Sequence, residues 1–247
     1  MSKRRKIFII ISACALLTAL TILSLFYFGI LKFNDPSKEK YPIRGVDVSS
    51  YQGTVDWDEI RRQGINFAFI KATEGSGFVD ERFAYNYENA QLSGVRAGAY
   101  HFFSFDSAGE TQAENFINTV SAYDGMLPPA VDVELYGNYL SDSSDIDTVK
   151  IKNELRVLLR ALEDEYRKTP ILYATKRSYD LFLRDDFEEY DVWIRDVFTF
   201  PTLSDGRGWT FWQYTNRGRL RGYDGDETYI DLNVFYGSAD EFDQYGK

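Results

Sequence analysis

Histidine, cysteine and methionine are scarce in this chain of 247 residues, which holds one His, one Cys and two Met. With His101 as the sole imidazole, a Ser-His-Asp triad has a single candidate base. Metal sites built from several histidines or cysteines are excluded. Cys14 has no partner for an intramolecular disulfide, so stability must come from packing. Acid–base chemistry therefore falls mainly to Asp, Glu and Tyr. Internal repeats, low-complexity tracts and glycine-rich phosphate fingerprints are also missing. No group of residues has the spacing of metal ligands, so neither a metal nor an organic cofactor is expected.

Charge is short on one side. The first 40 residues hold seven of the 28 Lys and Arg but two of the 38 Asp and Glu, leaving the remainder at net −15. A surface that acidic, without a basic stripe interleaved with aromatics, repels nucleic acid.

A long apolar run is present once, at residues 7–31, after Lys3, Arg4, Arg5 and Lys6. Its 25 residues suffice to cross a bilayer with some tilt. The basic cluster at residues 1–6 is expected to stay in the cytoplasm, with everything after residue 31 outside. A cleavable signal has a shorter core and a small-residue cleavage site. The run instead ends in Phe26, Tyr27, Phe28, Gly29, Ile30 and Leu31. Ile11, Ser12 and Ala13 before Cys14 look like a lipoprotein cleavage box, but the apolar stretch ahead of it is too short. An uncleaved single-pass anchor in the cell membrane, embedded in the lipid bilayer, is expected. Residues 32–42 read as a polar tether, and residues 43–247 as one large domain with a substantial core.

Within that domain, strand-like and helix-like segments alternate. Strands are expected at residues 44–50, 67–73, 96–103, 129–135 and 170–175, with helices at 57–63, 81–93, 109–123, 146–167 and 176–183. Val149, Leu155, Leu158, Leu159 and Leu162 recur at helical spacing in the longest of these. Three further strands, at 191–195, 209–215 and 229–235, are joined by loops rather than full helices. Regular alternation argues for parallel strands with right-handed crossovers. The class is α/β, an irregular TIM-like barrel of about (β/α)5(β)3; a doubly wound open sheet is the alternative.

The most informative stretch is Pro129-Ala130-Val131-Asp132-Val133-Glu134-Leu135. In a strand, Asp132 and Glu134 share one face and the two valines the other. Two carboxyls crowded in a poorly solvated place cannot both ionise cheaply, so one can act as a proton donor near neutrality. That equipment suits glycosidic bond cleavage; a strand-end salt bridge or a calcium ligand would also place two acids so. Asp47 and Asp231 occupy comparable apolar strands. In a β/α barrel, acids at strand ends converge on one mouth, and burying four of them is costly unless they are paired or used. The aromatic content of 17% also suits a carbohydrate site.

Six blocks, in order, make the chain resemble the family-25 glycoside hydrolases, the N,O-diacetylmuramidase type of lysozyme. They are Gly45-Val46-Asp47-Val48-Ser49 with Tyr51, Gln52, Gly53 and Trp57; Phe69-Ile70-Lys71-Ala72-Thr73-Glu74-Gly75; Gly98-Ala99-Tyr100-His101-Phe102; Asp132-Val133-Glu134; Trp212-Gln213-Tyr214; and Asp231-Leu232-Asn233. The resemblance spans residues 45–235. It implies a barrel that hydrolyses the β-1,4 bond between N-acetylmuramic acid and N-acetylglucosamine in peptidoglycan, its glycan partner. It implies Glu134 as general acid and Asp132 as the group orienting the attacking partner, either a protein carboxylate or the substrate's own N-acetyl oxygen. Asp47 and Asp231 would flank the cleaved sugar. Tyr51, Tyr100, Tyr173, Trp193 and Trp212 are either sugar-stacking walls or barrel packing, and Gln213 and Tyr214 could reach an N-acetyl group. His101 is expected to satisfy a hydrogen bond near the site, and Lys71 and Glu74 to pair at its rim. Arg195 and Asp196 depart from the family, which usually has a small residue after the Trp-Ile pair. A wall-binding protein without catalysis and a hydrolase of chitin-like glycans are the competing readings.

Overall fold

The computed structural model describes residues 2–28, 31, 34–140 and 146–247. The chain forms two compact units, residues 1–35 and 36–247. In the first, helix α1 (Lys3–Tyr27) starts at Ser2, whose side chain accepts the Arg5 amide, and buries none of its residues. Its mean hydropathy reaches 2.5 over 18 residues. The Thr18 and Thr21 hydroxyls donate to the Cys14 and Leu17 carbonyls at 3.0 and 2.9 Å, so the helix backbone satisfies both threonines. Residues 29–30 and 32–33, part of the expected anchor and tether, lie outside the described residues.

The second unit is a closed eight-stranded barrel. Strands β1 (Arg44–Val48), β2 (Phe67–Glu74), β4 (Arg96–Phe102), β5 (Ala130–Asp132), β6 (Ile171–Thr175), β7 (Asp191–Arg195) and β8 (Phe211–Gly218) run parallel, and β9 (Ile230–Phe235) sits between β8 and β1. Closure comes from the β1–β2 pairing, and a two-residue strand, β3 (Phe78–Val79), folds back on β2. Helices α2 (Trp57–Arg62), α3 (Phe83–Leu92), α4 (Gly109–Thr119) and α5 (Thr148–Tyr166) make the first crossovers. The fifth crossover, α6 (Lys176–Ser178), widens into a π-turn through Tyr179–Leu183. Eight barrel strands and five crossover helices match the pattern read from the sequence.

Three features differ from that reading. Strand β9 is antiparallel to both neighbours. A parallel return needs a crossover long enough for a helix, and residues 219–229 form none. A terminal helix, α7 (Ala239–Gln244), lies beyond the expected elements; its Phe242 ring packs on Phe67 and Phe235 and closes the amino-terminal end of the barrel. Finally, the compact unit begins before residue 43. Tyr41 is buried and stacks on Trp209, while Arg44 donates to the Pro36 carbonyl, so the second half of the expected tether belongs to the domain.

Strand alternation sorts the core into two layers. Phe67, Phe69, Ala130, Ile171, Trp193, Phe211 and Phe235 fill the barrel interior, while Val46, Ala68, Ile70, Val131 and Val133 meet Leu155, Leu158, Leu159 and Leu162 of α5 and the other helices outside. Glycines on the strands beside β2 make room for its two rings. A Cβ at Gly45 would come within 2.3 Å of Phe67, and one at Gly98 within 2.8 Å of Phe69. The interior is therefore solid at one end and open at the other.

Candidate active site

At the carboxyl ends of the parallel strands lies a cavity of about 410 Å³, lined by Asp47, Asp132, Glu134 and Asp231. All four acids singled out in the sequence meet there. Asp47 comes from β1, and Asp132 ends β5. Glu134 lies just past the ladder, where Val133 still donates to the Tyr173 carbonyl at 2.9 Å. Asp231 reaches the same mouth because β9 is reversed: it stands near the start of its strand, directly opposite Asp47 in the antiparallel register.

Amide side chains organise the Asp47–Asp231 pair. Gln213 Nε2 donates to both Asp47 oxygens, at 3.2 and 3.0 Å, and to Asp231 Oδ2 at 2.9 Å. Asn233 Nδ2 donates to Asp47 Oδ2 at 2.7 Å. These amides are themselves held. Trp193 Nε1 donates to Asn233 Oδ1 at 2.8 Å, and the Tyr173 hydroxyl donates to Gln213 Oε1 at 3.1 Å. Because an indole nitrogen can only donate, it fixes which way Asn233 faces.

Burial pushes all four carboxyls above their ordinary range. For Asp231 burial comes first and the neighbouring Asp47 charge second, carrying it to about 9. Asp47 is also raised by burial, but hydrogen bonds from Asn233 and Gln213 and the bond with Asp231 pull it back. The pair therefore shares one proton, held on Asp231, with Asp47 as the anion. Asp132 is raised well above the usual range by burial and by the Glu134 charge. Its Oδ1 is buried without a hydrogen-bond partner, a cost seldom accepted without use. Glu134 is raised by burial, with Arg195 and Lys71 opposing.

The aromatic residues divide by strand face. Tyr51, Tyr100, Tyr173 and Trp193 line the cavity, as does Gln213. Tyr51 is 66% exposed and offers an open ring face, whereas Trp193 is buried against Phe69 and Tyr173 at 4.5 and 4.6 Å and forms the floor. Trp212 and Tyr214 do not reach the cavity. They flank Gln213 on β8, and neighbours in a strand point to opposite sides. Trp212 is fully buried on the outer face, donating to the Asp196 carbonyl at 2.9 Å, and the Tyr214 hydroxyl accepts from Arg44 at 3.1 Å. For Trp212 the structure takes the packing alternative, and the same alternation turns Tyr214, expected to reach an N-acetyl group, away from the mouth.

His101 also lies behind the barrel wall. It is fully buried between Thr73 Oγ1 at 2.7 Å and Gln112 Oε1 at 3.0 Å, and burial lowers its pKa to about 4, so it stays neutral. Lys71 and Glu74 pair at 2.7 Å at the rim. Asn233, the second donor to Asp47, was legible as the residue two beyond Asp231, the same spacing as Asp132 and Glu134. Tyr229 and Glu227 enter the lining from the loop before β9, where no periodicity marks them.

A family model described as glycosyl hydrolases family 25 matches residues 46–223. The structure of a family 25 glycosyl hydrolase from Bacillus anthracis superposes with a TM-score of 0.81 at 54% identity, covering 87% of this chain and 98% of that one. Protein YegX of Escherichia coli K12 is 34% identical over 210 residues, 83% of this chain and 74% of its own. Lysozyme M1 of Streptomyces globisporus is 30% identical over 206 residues, 80% of this chain and 69% of its own.

Proposed function

Since the chain belongs to family 25 of the glycosyl hydrolases and is a glycoside hydrolase, we propose that it cleaves the β-1,4 bond between N-acetylmuramic acid and N-acetylglucosamine in peptidoglycan. The observation that carries this reading is the convergence of four raised carboxyls in one sugar-sized cavity, one of them with an orphaned buried oxygen.

Glu134, whose carboxyl burial raises above its ordinary range, gives its proton to the glycosidic oxygen as the bond to the anomeric carbon breaks. The acetamido oxygen of the same sugar closes on the anomeric carbon from the opposite face. Asp132 Oδ1 accepts the acetamido N–H, which makes that oxygen a better nucleophile. The resulting cyclic oxazolinium is opened by water, whose proton passes to the Glu134 carboxylate, and the configuration at carbon is retained. Asp47 is engaged by two amide donors, which suits an anion stabilising positive charge on the sugar rather than a nucleophile. Helix α1, with its basic end in the cytoplasm, holds the domain at the outer membrane face, where it acts on nearby wall during remodelling.

The test is Glu134→Gln, expected to lower release of reducing ends from purified wall by about 10³-fold with the fold intact. Mass spectrometry of a wild-type digest should show N-acetylmuramic acid at the new reducing ends. N-acetylglucosamine there would overturn the bond assignment, and an active Glu134→Gln would overturn the acid.

A further inference from the structure

One cation in the cavity is uncommitted. Arg195 ends β7, in register with Gln213 of β8, and strand alternation turns it inward with Trp193 while Ile194 points out. It is half-buried and lines the cavity together with Asp47, Glu134 and Asp231. Among the described residues it has no hydrogen-bond or ion-pair partner, although its charge is felt by all three acids. The other cations near this mouth are engaged. Lys71 pairs with Glu74 at 2.7 Å, and Lys176 with Asp196 at 2.6 Å. Asp196, next to Arg195 in sequence, is buried and taken up by Lys176, the Thr199 hydroxyl and the Phe198 and Thr199 amides.

We propose that Arg195 is a specificity-determining residue that receives the free carboxylate of a muramic acid lactyl group, making glycan stripped of its stem peptides the preferred substrate. The inference rests on the muramidase reading above and names the form of glycan that site takes. The Asp47 anion in the cavity wall repels a negatively charged sugar, and the repulsion is strong where water is scarce. A cation already seated among the acids offsets it. The lactyl ether leaves the sugar ring two bonds from the anomeric carbon, so its carboxyl group comes close to the cleavage machinery. When peptide is attached, that carboxyl is a neutral amide with one acceptor oxygen. When peptide is absent, it is a carboxylate whose two oxygens match the guanidinium fork. Charge-assisted pairs are about twice as strong as neutral ones, which sets the expected preference at about tenfold.

The experiment uses one preparation of peptide-free muramic acid-containing oligosaccharide, half of it converted chemically to the lactyl methylamide. Full-length protein in detergent is compared with Arg195→Ala and Arg195→Lys for KM and kcat on both forms. The same substitutions placed in Glu134→Gln are compared for binding by calorimetry, where any effect of Arg195 on the acid's protonation drops out. The expected result is about tenfold tighter binding and lower KM for the carboxylate form. Arg195→Ala abolishes that preference by weakening the acid form alone, and Arg195→Lys keeps part of it. Equal affinity of the unsubstituted protein for both forms, or an equal loss on both in Arg195→Ala, would overturn the proposal. Failure of the wild-type protein to cleave either form counts against the muramidase reading instead, and the binding comparison still decides the role of Arg195.

Discussion

Replacing Asp231 by Asn should stabilise the domain, and by more the higher the pH. The reasoning starts from the shared proton at the Asp47–Asp231 pair. In the native state the Asp231 carboxyl holds its proton up to about 9, because of burial and the Asp47 charge; its ordinary value is 3.8. Between those values the native state binds a proton that the unfolded chain has released. A raised carboxyl therefore costs stability above its unfolded pKa, and the cost grows as pH rises toward the folded one. Each pH unit in that window is worth about 1.4 kcal/mol, or about 2.7 kcal/mol between pH 5 and pH 7. Solvent at the open mouth screens part of this, leaving an expected growth of about 1.5–2.5 kcal/mol. Asparagine carries no proton to negotiate, and its amide can replace the protonated carboxyl as donor to Asp47. His101, held neutral with a pKa near 4, pulls wild-type stability the other way below pH 6.5, but it cancels in the difference between variant and wild type. Urea unfolding of both proteins in detergent at pH 5, 6 and 7, followed by near-ultraviolet circular dichroism, gives that difference directly. A gain that does not grow with pH, or a loss that does, would refute the shared-proton picture.

Cleavage itself should show an alkaline limb displaced upward, because burial raises Glu134 and activity requires it protonated. A rate profile falling through the ordinary glutamate range near pH 4.5 would contradict that. Trp212→Ala should cost about 3–5 kcal/mol of stability through the cavity it opens, yet leave KM unchanged at temperatures where the protein stays folded. Thermal melts and steady-state kinetics separate the two effects. If α1 spans the bilayer, the full chain should stay with membranes through an alkaline carbonate wash, and a chain starting at residue 36 should be released. Recovery of the full chain in the supernatant would refute the anchor.

The barrel was readable in the sequence because its signals are local and repeated. Apolar runs of strand length alternate with one strongly amphipathic helix and several weaker ones, and the result is five crossovers in the expected order. What escaped had no local signal. The reversal of β9 follows from a connection too short for a helix, which shows only once the strands are paired. Helix α7 contributes mainly Phe242, an apolar residue with no periodic companions. At the site, the four acids were found because charge in apolar strands is conspicuous. Trp212 could be read either as wall or as packing, and Tyr214 turns away from the mouth because a strand sends neighbouring residues to opposite faces. Asp231–Asn233 carried the same alternate spacing as Asp132–Glu134, so the donor to Asp47 was there to be read. The unpaired state of Arg195 could not be read at all, since it depends on Lys71 and Lys176 having found other carboxylates.

The reversed last strand also decides where the polypeptide enters and leaves the domain. Phe235 at the end of β9 donates its amide to the Ile43 carbonyl just before β1, and Tyr41 and Tyr236 are neighbours there. Arg96, at the start of β4, donates to the Phe242 and Tyr245 carbonyls of the final segment. Both ends of the barrel domain thus lie at the plugged base, away from the opening. Fusion or immobilisation of the domain from residue 36 onward, through either of its ends, should leave long insoluble polymers free access to the acids, and a domain grafted by its tail should work as well as one held by its head.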